Sequence, residues 1–183
     1  MGVKKVLVVD IDETLLNIEP LFFLEKFRRD YPEYKGQFVN FKNIKNGYYM
    51  VLRPRVKEFL RATSSNFDLV AFSVVEREIT AQKLKILGIK DFFIKIYGKE
   101  DLINKKKSLK TISEDLSVPL SNIIAVDNDS NAFLEKANVI PVKPFFMGKD
   151  IEYEYEQHND NLLGAANQAL SIKQGIKIAP SVN

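Results

Sequence analysis

Two carboxylates separated by one residue, Asp10 and Asp12, stand directly after the apolar run Val6-Leu7-Val8-Val9 and just before Thr14. In extended chain, side chains two apart point the same way, so both carboxylates can enter one pocket. Two carboxylates that close repel, and both stay ionised at low cost only beside a cation or when one of them holds a proton. That division supplies a nucleophile and a general acid/base within one short segment. An acidic turn with Thr14 as a cap is the bland alternative. The pattern D-x-D-x-T placed after a buried strand and before Leu15-Leu16 favours chemistry over it.

Two further polar residues end apolar runs in the same manner. Ser73 follows Leu69-Val70-Ala71-Phe72, and Asp127, with Asn128 next to it, follows Ile123-Ile124-Ala125-Val126. Ser73-Val74-Val75-Glu76 also reads as a capping box for a following helix, and the backbone N–H groups of that turn could face an anion. Asp129, beside Ser130, is expected to be an N-cap. Lys105, Lys106, Lys107 and Lys110 form a lysine run on a helix, ordinarily a solvated face. His158 lies between Gln157 and Asn159 and is assigned no role, nor is the tyrosine–glutamate alternation from Ile151 to Glu156.

The 183-residue chain contains no cysteine and one histidine, which removes disulfides, thiolate catalysis and the usual ligands of most transition metals. Any bound metal must then be held by oxygen, which points to magnesium or calcium. A net charge of +3 is too small to argue for nucleic acid. No apolar run approaches the roughly 20 residues of a membrane span. The stretch MGVKKVLVVD has the flavour of a leader but is too short and ends at a carboxylate, so an intracellular, cytoplasmic protein is expected.

The elements that must position these residues can be read from the spacing. The three apolar runs are expected to be strands covered on both faces, with Val139 to Val142 as a shorter fourth. Between them, Pro54 marks a first helical position before Val56, Phe59 and Leu60. Glu76 to Leu87 is a helix stopped by Gly88, Leu109, Ile112 and Leu116 mark a third, and Ser130 to Ala137 a fourth. Buried strands alternating with helices imply an α/β fold, a Rossmann-like, mostly parallel sheet flanked by helices. Such a sheet binds ligands beyond the carboxyl ends of its strands, where Asp10, Ser73 and Asp127 would meet.

Residues 15–52 break the alternation. A helix through Leu21, Phe22, Leu24 and Phe27 is followed by Phe38–Phe41 and Tyr48–Val51 around Asn46-Gly47, read as a small β-hairpin insert leaning over the crevice. Leu162, Leu163, Ala166, Ala169 and Leu170 form a mild helical stripe, and Gly175 onward is expected to be a flexible tail of one single domain.

VLVVDIDETLLN resembles the first motif of the haloacid dehalogenase superfamily of phosphatases. GYYMVLRPRVKEFL, FDLVAFSVVEREITAQKLKILG and NIIAVDN are similar to its C-terminal-domain phosphatase branch, the NLI-interacting-factor-like proteins, over roughly Lys5 to Pro144. The resemblance implies a phosphatase acting on phosphoserine and phosphothreonine in proteins, including the RNA polymerase tail. It makes Asp10 the nucleophile that becomes an aspartyl-phosphate and Asp12 the acid/base. Thr14 would steady the loop, and Ser73 would donate to a phosphoryl oxygen. Magnesium would bind Asp10, the Asp12 carbonyl and Asp127 or Asn128. Aligning Leu109 and Ile112 with the branch's apolar positions selects Lys107 as the phosphate-neutralising lysine. Val74 and Val75 replace the branch's small residues. The expected partner is a phosphorylated protein or peptide, or alternatively a small phosphomonoester or nucleotide, met by a monomer in the cytoplasm or nucleus. A phospho-accepting signalling domain is the non-enzymatic alternative; the acid/base beside the nucleophile favours turnover.

Overall fold

The apolar run Val6–Val9 is β1, the central strand of a five-stranded sheet, and it is buried along its whole length. The computed structural model describes residues 5–20, 29, 32, 38–41, 48–146 and 161–173. In chain order the elements are β1, β2 (Leu16–Pro20), β3 (Phe38–Phe41), β4 (Tyr48–Leu52), α1 (Val56–Ser64) and β5 (Asp68–Phe72). They continue with α2 (Arg77–Ile86), β6 (Phe93–Tyr97), α3 (Leu109–Leu116), β7 (Ile123–Asp127), β8 (Val139–Pro141) and α4 (Asn161–Lys173).

The large sheet runs β6-β5-β1-β7-β8 with every pairing parallel. Val9 pairs with Ala71 on one side and Val126 on the other, so the carboxyl ends of β1, β5 and β7 lie side by side. The chain winds outward from β1 to β5 and β6, then returns to lay β7 and β8 on the other flank. The strand order therefore reverses between β1 and β7, the switch point at which open parallel sheets form a crevice.

Strand alternation sorts the core into two faces. Leu7, Val9, Leu69, Ala71, Ile124 and Val126 cluster with α1, α2 and α4 through Phe59, Leu60, Leu84 and Ala166. Val6, Val8, Val70, Phe72, Ile123 and Ala125 cluster with Leu109 and Ile112 of α3 and with Phe133. Three layers result, helices on both faces of a parallel sheet. Among the described residues, no helix is long and apolar enough to cross a membrane.

Several elements differ from the sequence reading. The edge strand β6 carries no continuous apolar run and adds a strand to those the sequence predicts. Helix α1 begins at Val56, after Arg55 adopts a left-handed turn (φ 62°), so Pro54 stands before the helix rather than at its first position. In place of a helix over Ser130 to Ala137 there are two short 3-10 turns, Ser130–Ala132 and Lys136–Asn138. The reason is visible in the backbone: Lys107 N–H donates to Ala132 O (2.8 Å) and Leu134 N–H donates to Lys107 O (3.0 Å). That pairing draws the chain between the two turns out of helical geometry.

The insert forms an antiparallel sheet in the order β2-β4-β3, with Leu16 opposite Leu52 and Phe41 opposite Tyr48. Through Leu16, Met50 and Leu52 it joins the core cluster that holds α1. The helix expected through Leu21 to Phe27, the turn at Asn46-Gly47, the 151–156 alternation, His158 and the tail from Gly175 lie outside the described residues.

Gly98, just after β6, supports the turn that follows β5. A Cβ there would stand 2.3 Å from Arg77 N, backbone at the start of α2. Gly98→Ala is therefore expected to lower stability by about 1–3 kcal/mol through overpacking, measured as a reduced urea midpoint. An unchanged midpoint would show that the turn has slack.

Candidate active site

Asp10 is the first residue beyond β1, anchored by its N–H donating to Val126 O on β7 (3.0 Å). Its side chain is 7% exposed, and Oδ1 accepts from Lys107 Nζ at 2.5 Å. The same ammonium donates to Oδ2 of Asp127, the last residue of β7, at 2.6 Å. One buried cation thus joins the ends of two neighbouring strands. The other Asp127 oxygen accepts from Asp129 N–H at 2.7 Å.

Lys107 reaches this position through local structure that precedes α3. Asn104 and Lys105 both have positive φ (50° and 64°), and Ile103 and Lys106 exchange two backbone hydrogen bonds across them. That tight reversal, with the β-like pairing of Lys107 to Phe133, turns the lysine inward. Phe72 and Phe133 flank its ammonium at 5.9 and 5.2 Å from their ring centroids. Ser108 then caps α3 by accepting from Thr111 N–H. Lys107 accordingly stands ahead of the helix, not on it, and it is this lysine of the run that pairs with Asp10 and Asp127.

Electrostatics explain why the trio is tense. Burial raises the Asp10 carboxyl to about 7, with Asp127 pushing the same way and Lys107 opposing. Asp127 is likewise raised by burial, against Lys107. For Lys107, burial works to lower the value, but Asp10 and Asp127 overcome it and hold the ammonium charged. The carboxylate that presses on Asp10 is therefore Asp127 across the sheet, and the close pairing of Asp10 with Asp12 anticipated from their spacing is replaced by separate partners.

Asp12 turns to the other side of the crevice. Its Oδ1 accepts from Lys83 Nζ at 2.6 Å and its Oδ2 from the Ser73 hydroxyl at 3.0 Å. Ser73 Oγ also accepts from Val75 N–H at 3.0 Å. The expected capping box does not form: α2 starts at Arg77, its N-cap Glu76 makes no side-chain cap, and Arg77 N–H donates instead to Glu100. Ser73 therefore serves Asp12 and its own turn.

Thr14 is fully buried, and its hydroxyl donates to Asn128 Oδ1 (3.0 Å) while accepting from Asn128 N–H (3.1 Å). This ties the loop after β1 to the segment after β7. Glu13, at φ 61°, lets that loop fold back so that its N–H donates to Leu16 O. Asn128 Nδ2 donates to Glu13 at 3.3 Å. Asp129 is an N-cap, accepting from Asn131 N–H.

Two groups escaped the sequence reading. Arg53 is buried at 1% exposure and donates to the carbonyls of Thr14 (3.2 Å) and Lys143 (2.9 Å), bracing the loop from behind. Lys83 falls on the buried stripe of α2 with Thr80 and Leu84, continued by Leu87 at the C-cap; that spacing is its available signal, obscured because helical lysines ordinarily face water.

The residues that could hold a cation are the Asp10 carboxylate, the Asp12 main-chain carbonyl, Asp127 and Asn128. All offer oxygen, and Lys107 supplies one positive charge for two buried carboxylates. The remaining negative charge and oxygen-only donors suit magnesium, which binds through one or two carboxylates and keeps several waters. Among the described residues no group of three or more His, Cys, Asp or Glu could hold a metal, so such an ion would lean on waters and substrate.

Comparison with known proteins concerns the chain as a whole. Residues 5–171 match the family described as "NLI interacting factor-like phosphatase". A Dictyostelium discoideum protein named "Probable C-terminal domain small phosphatase" is 28% identical over 150 residues, 80% of this chain but 46% of that relative. The chain thus spans about half the length of the curated relative it matches. The structure of a fission yeast RNA polymerase II CTD phosphatase bound to beryllium fluoride shares the fold at a TM-score of 0.63, with 18% identity over 98% of this chain and 58% of that one. A haloacid dehalogenase-superfamily hydrolase from Ehrlichia chaffeensis shares it at 0.56, with 13% identity over 94% of this chain and 100% of that one.

The charge balance makes a prediction about stability. Because the folded Asp10 carboxyl is raised from 3.8 to about 7, the native state holds a proton that the unfolded chain releases in that range. Its contribution is full below pH 3.8 and lost as pH rises through about 7. Metal-free Asp10→Asn should therefore melt above the parent at pH 8, and the gap should shrink toward pH 5. A gap that widens on acidification would contradict this.

Proposed function

The chain belongs to the NLI interacting factor-like phosphatase family, and from that premise we propose that it hydrolyses phosphomonoesters through a phosphoryl group carried on Asp10. Phosphoserine or phosphothreonine in a protein or peptide is the proposed substrate class, and the cytoplasm or nucleus the proposed setting. The observation that carries the reading is the Lys107 ammonium shared by Asp10 and Asp127 at the switch point of the sheet.

In the first step an Asp10 carboxylate oxygen attacks phosphorus in line. The bond from phosphorus to the ester oxygen breaks, its electron pair stays on that oxygen, and the Asp12 carboxyl gives it a proton. In the second step Asp12, now a carboxylate, takes a proton from water, and the hydroxyl oxygen attacks the same phosphorus. The acyl–phosphate bond breaks, Asp10 regains its carboxylate, inorganic phosphate leaves, and Asp12 is again a carboxylic acid. Lys107 offsets the negative charge that gathers between Asp10 and the incoming phosphoryl oxygens. Thr14 and Arg53 hold the loop so that Asp10 and Asp12 face one space. A magnesium ion bound at the oxygen donors would screen carboxylate from phosphoryl charge during their approach.

The fission yeast protein is described as an RNA polymerase II CTD phosphatase and the Dictyostelium relative as a probable C-terminal domain small phosphatase, which supports a protein substrate. Val74, half exposed beside Ser73, and Val75 after it replace the small residues expected of the branch, and there substrate choice would be altered. Action as a monomer is part of the proposal.

Asp10→Asn should abolish hydrolysis, because the isosteric amide is a poor nucleophile. Asp12→Asn should slow turnover by about 10²–10⁴-fold and leave phosphate on the enzyme, seen as an added phosphoryl mass on the intact protein. Normal turnover by Asp10→Asn would refute the assignment. Faster hydrolysis of sugar or nucleotide monophosphates than of phosphopeptides would replace the substrate class.

A further inference from the structure

Lys83 is 3% exposed, yet it ends on the crevice, its ammonium 2.6 Å from Asp12 Oδ1. Withdrawing an ammonium from water is costly unless a carboxylate or its equivalent meets it. An apolar side chain would satisfy the surrounding stripe of Thr80, Leu84 and Leu87. What the lysine adds is a donor to one chosen oxygen. Asp12 itself is 28% exposed on its side chain, so without Lys83 its carboxylate would be held at one oxygen only, by Ser73.

The two partners of Asp12 differ in kind. A lysine ammonium has three donors and no acceptor, whereas a serine hydroxyl can donate or accept. Oδ1, facing Lys83, must always accept and can never bear the proton. Oδ2, facing the Ser73 hydroxyl at 3.0 Å, can accept in one state and carry a proton in the other. We propose that Lys83 is a positioning residue for Asp12, claiming Oδ1 so that Oδ2 alone hands the proton to the leaving oxygen and later takes one from water. The inference rests on the phosphatase reading above and adds to it the identity of the working oxygen and the group that selects it.

The test compares esters that do and do not need a proton at the leaving oxygen. For Lys83→Met, kcat/KM is measured on a phosphoserine peptide and on p-nitrophenyl phosphate, whose leaving group departs unprotonated. This ratio reports the first step, in which Asp12 acts as acid. The loss on the phosphoserine peptide is expected to exceed that on p-nitrophenyl phosphate by about 30-fold or more, within the range of general acid catalysis. Lys83→Arg, which keeps a cationic donor, should restore the wild-type ratio. If Lys83→Met does not fold, Lys83→Gln carries the same comparison, because its amide can accept as well as donate. Equal losses on both esters, or no loss on either, would overturn the inference. Asp10→Asn, run alongside, separates the two claims: an active Asp10→Asn defeats the phosphatase reading, whereas a dead one with equal Lys83 losses defeats only the role of Lys83.

Discussion

A single buried ammonium, that of Lys107, holds two strand ends together. Asp10 closes β1 and Asp127 closes β7, and the sheet places them side by side because Val9 and Val126 are paired neighbours in a parallel ladder. Without a cation between them, two carboxylates this deeply buried would have to surrender charge, and Asp10 is already partway to doing so. Much of the surrounding structure makes sense as support for that contact. The positive-φ turn at Asn104 and Lys105 aims the lysine, Phe72 and Phe133 wall it from water, and Glu135 fastens α3 behind it by accepting from Ser108 Oγ and Leu109 N–H. One ammonium for two carboxylates leaves the site short of positive charge, the condition under which a divalent cation gains most from binding.

The crevice also divides its labour. Asp10 and Asp12 are two residues apart in sequence but answer to different lysines from different elements, Lys107 ahead of α3 and Lys83 within α2. In the proposed mechanism, a carboxylate that attacks and a carboxylate that shuttles protons need different surroundings. The fold provides them by drawing the two lysines from separate elements, and just after Asp12 the chain turns sharply at Glu13. Arg53, buried behind the loop, keeps that turn in place through the Thr14 carbonyl.

The sheet was legible from sequence because β1, β5 and β7 are buried on both faces, and continuous apolar runs ending in polar residues are what such burial demands. Asp10, Ser73 and Asp127 could be placed at one end of the sheet on that ground alone. What sequence could not show were features decided by contacts distant in the chain. Edge strand β6 needs cover on fewer sides and so tolerates Lys95 and an exposed Ile94. The segment after Asp127 carries helix-compatible residues but is drawn into pairing with Lys107. Ser73-Val74-Val75-Glu76 has the letters of a capping box, yet Glu100 supplies the acceptor for Arg77 N–H from across the turn and leaves Ser73 for Asp12. Lys83 is the sharpest case: local rules send a helical lysine to solvent, and only the position of Asp12 explains why this one is buried.

The proposed catalysis depends on Asp10 itself taking the phosphoryl group. Quenching the enzyme during turnover of a phosphopeptide, reducing the trapped acyl phosphate with borohydride and mapping the digest by mass spectrometry asks this directly. Conversion of Asp10 to homoserine in the peptide containing Val6–Thr14 is the expected result. Continued turnover with Asp10 unmodified, or the label on any other residue, would contradict it.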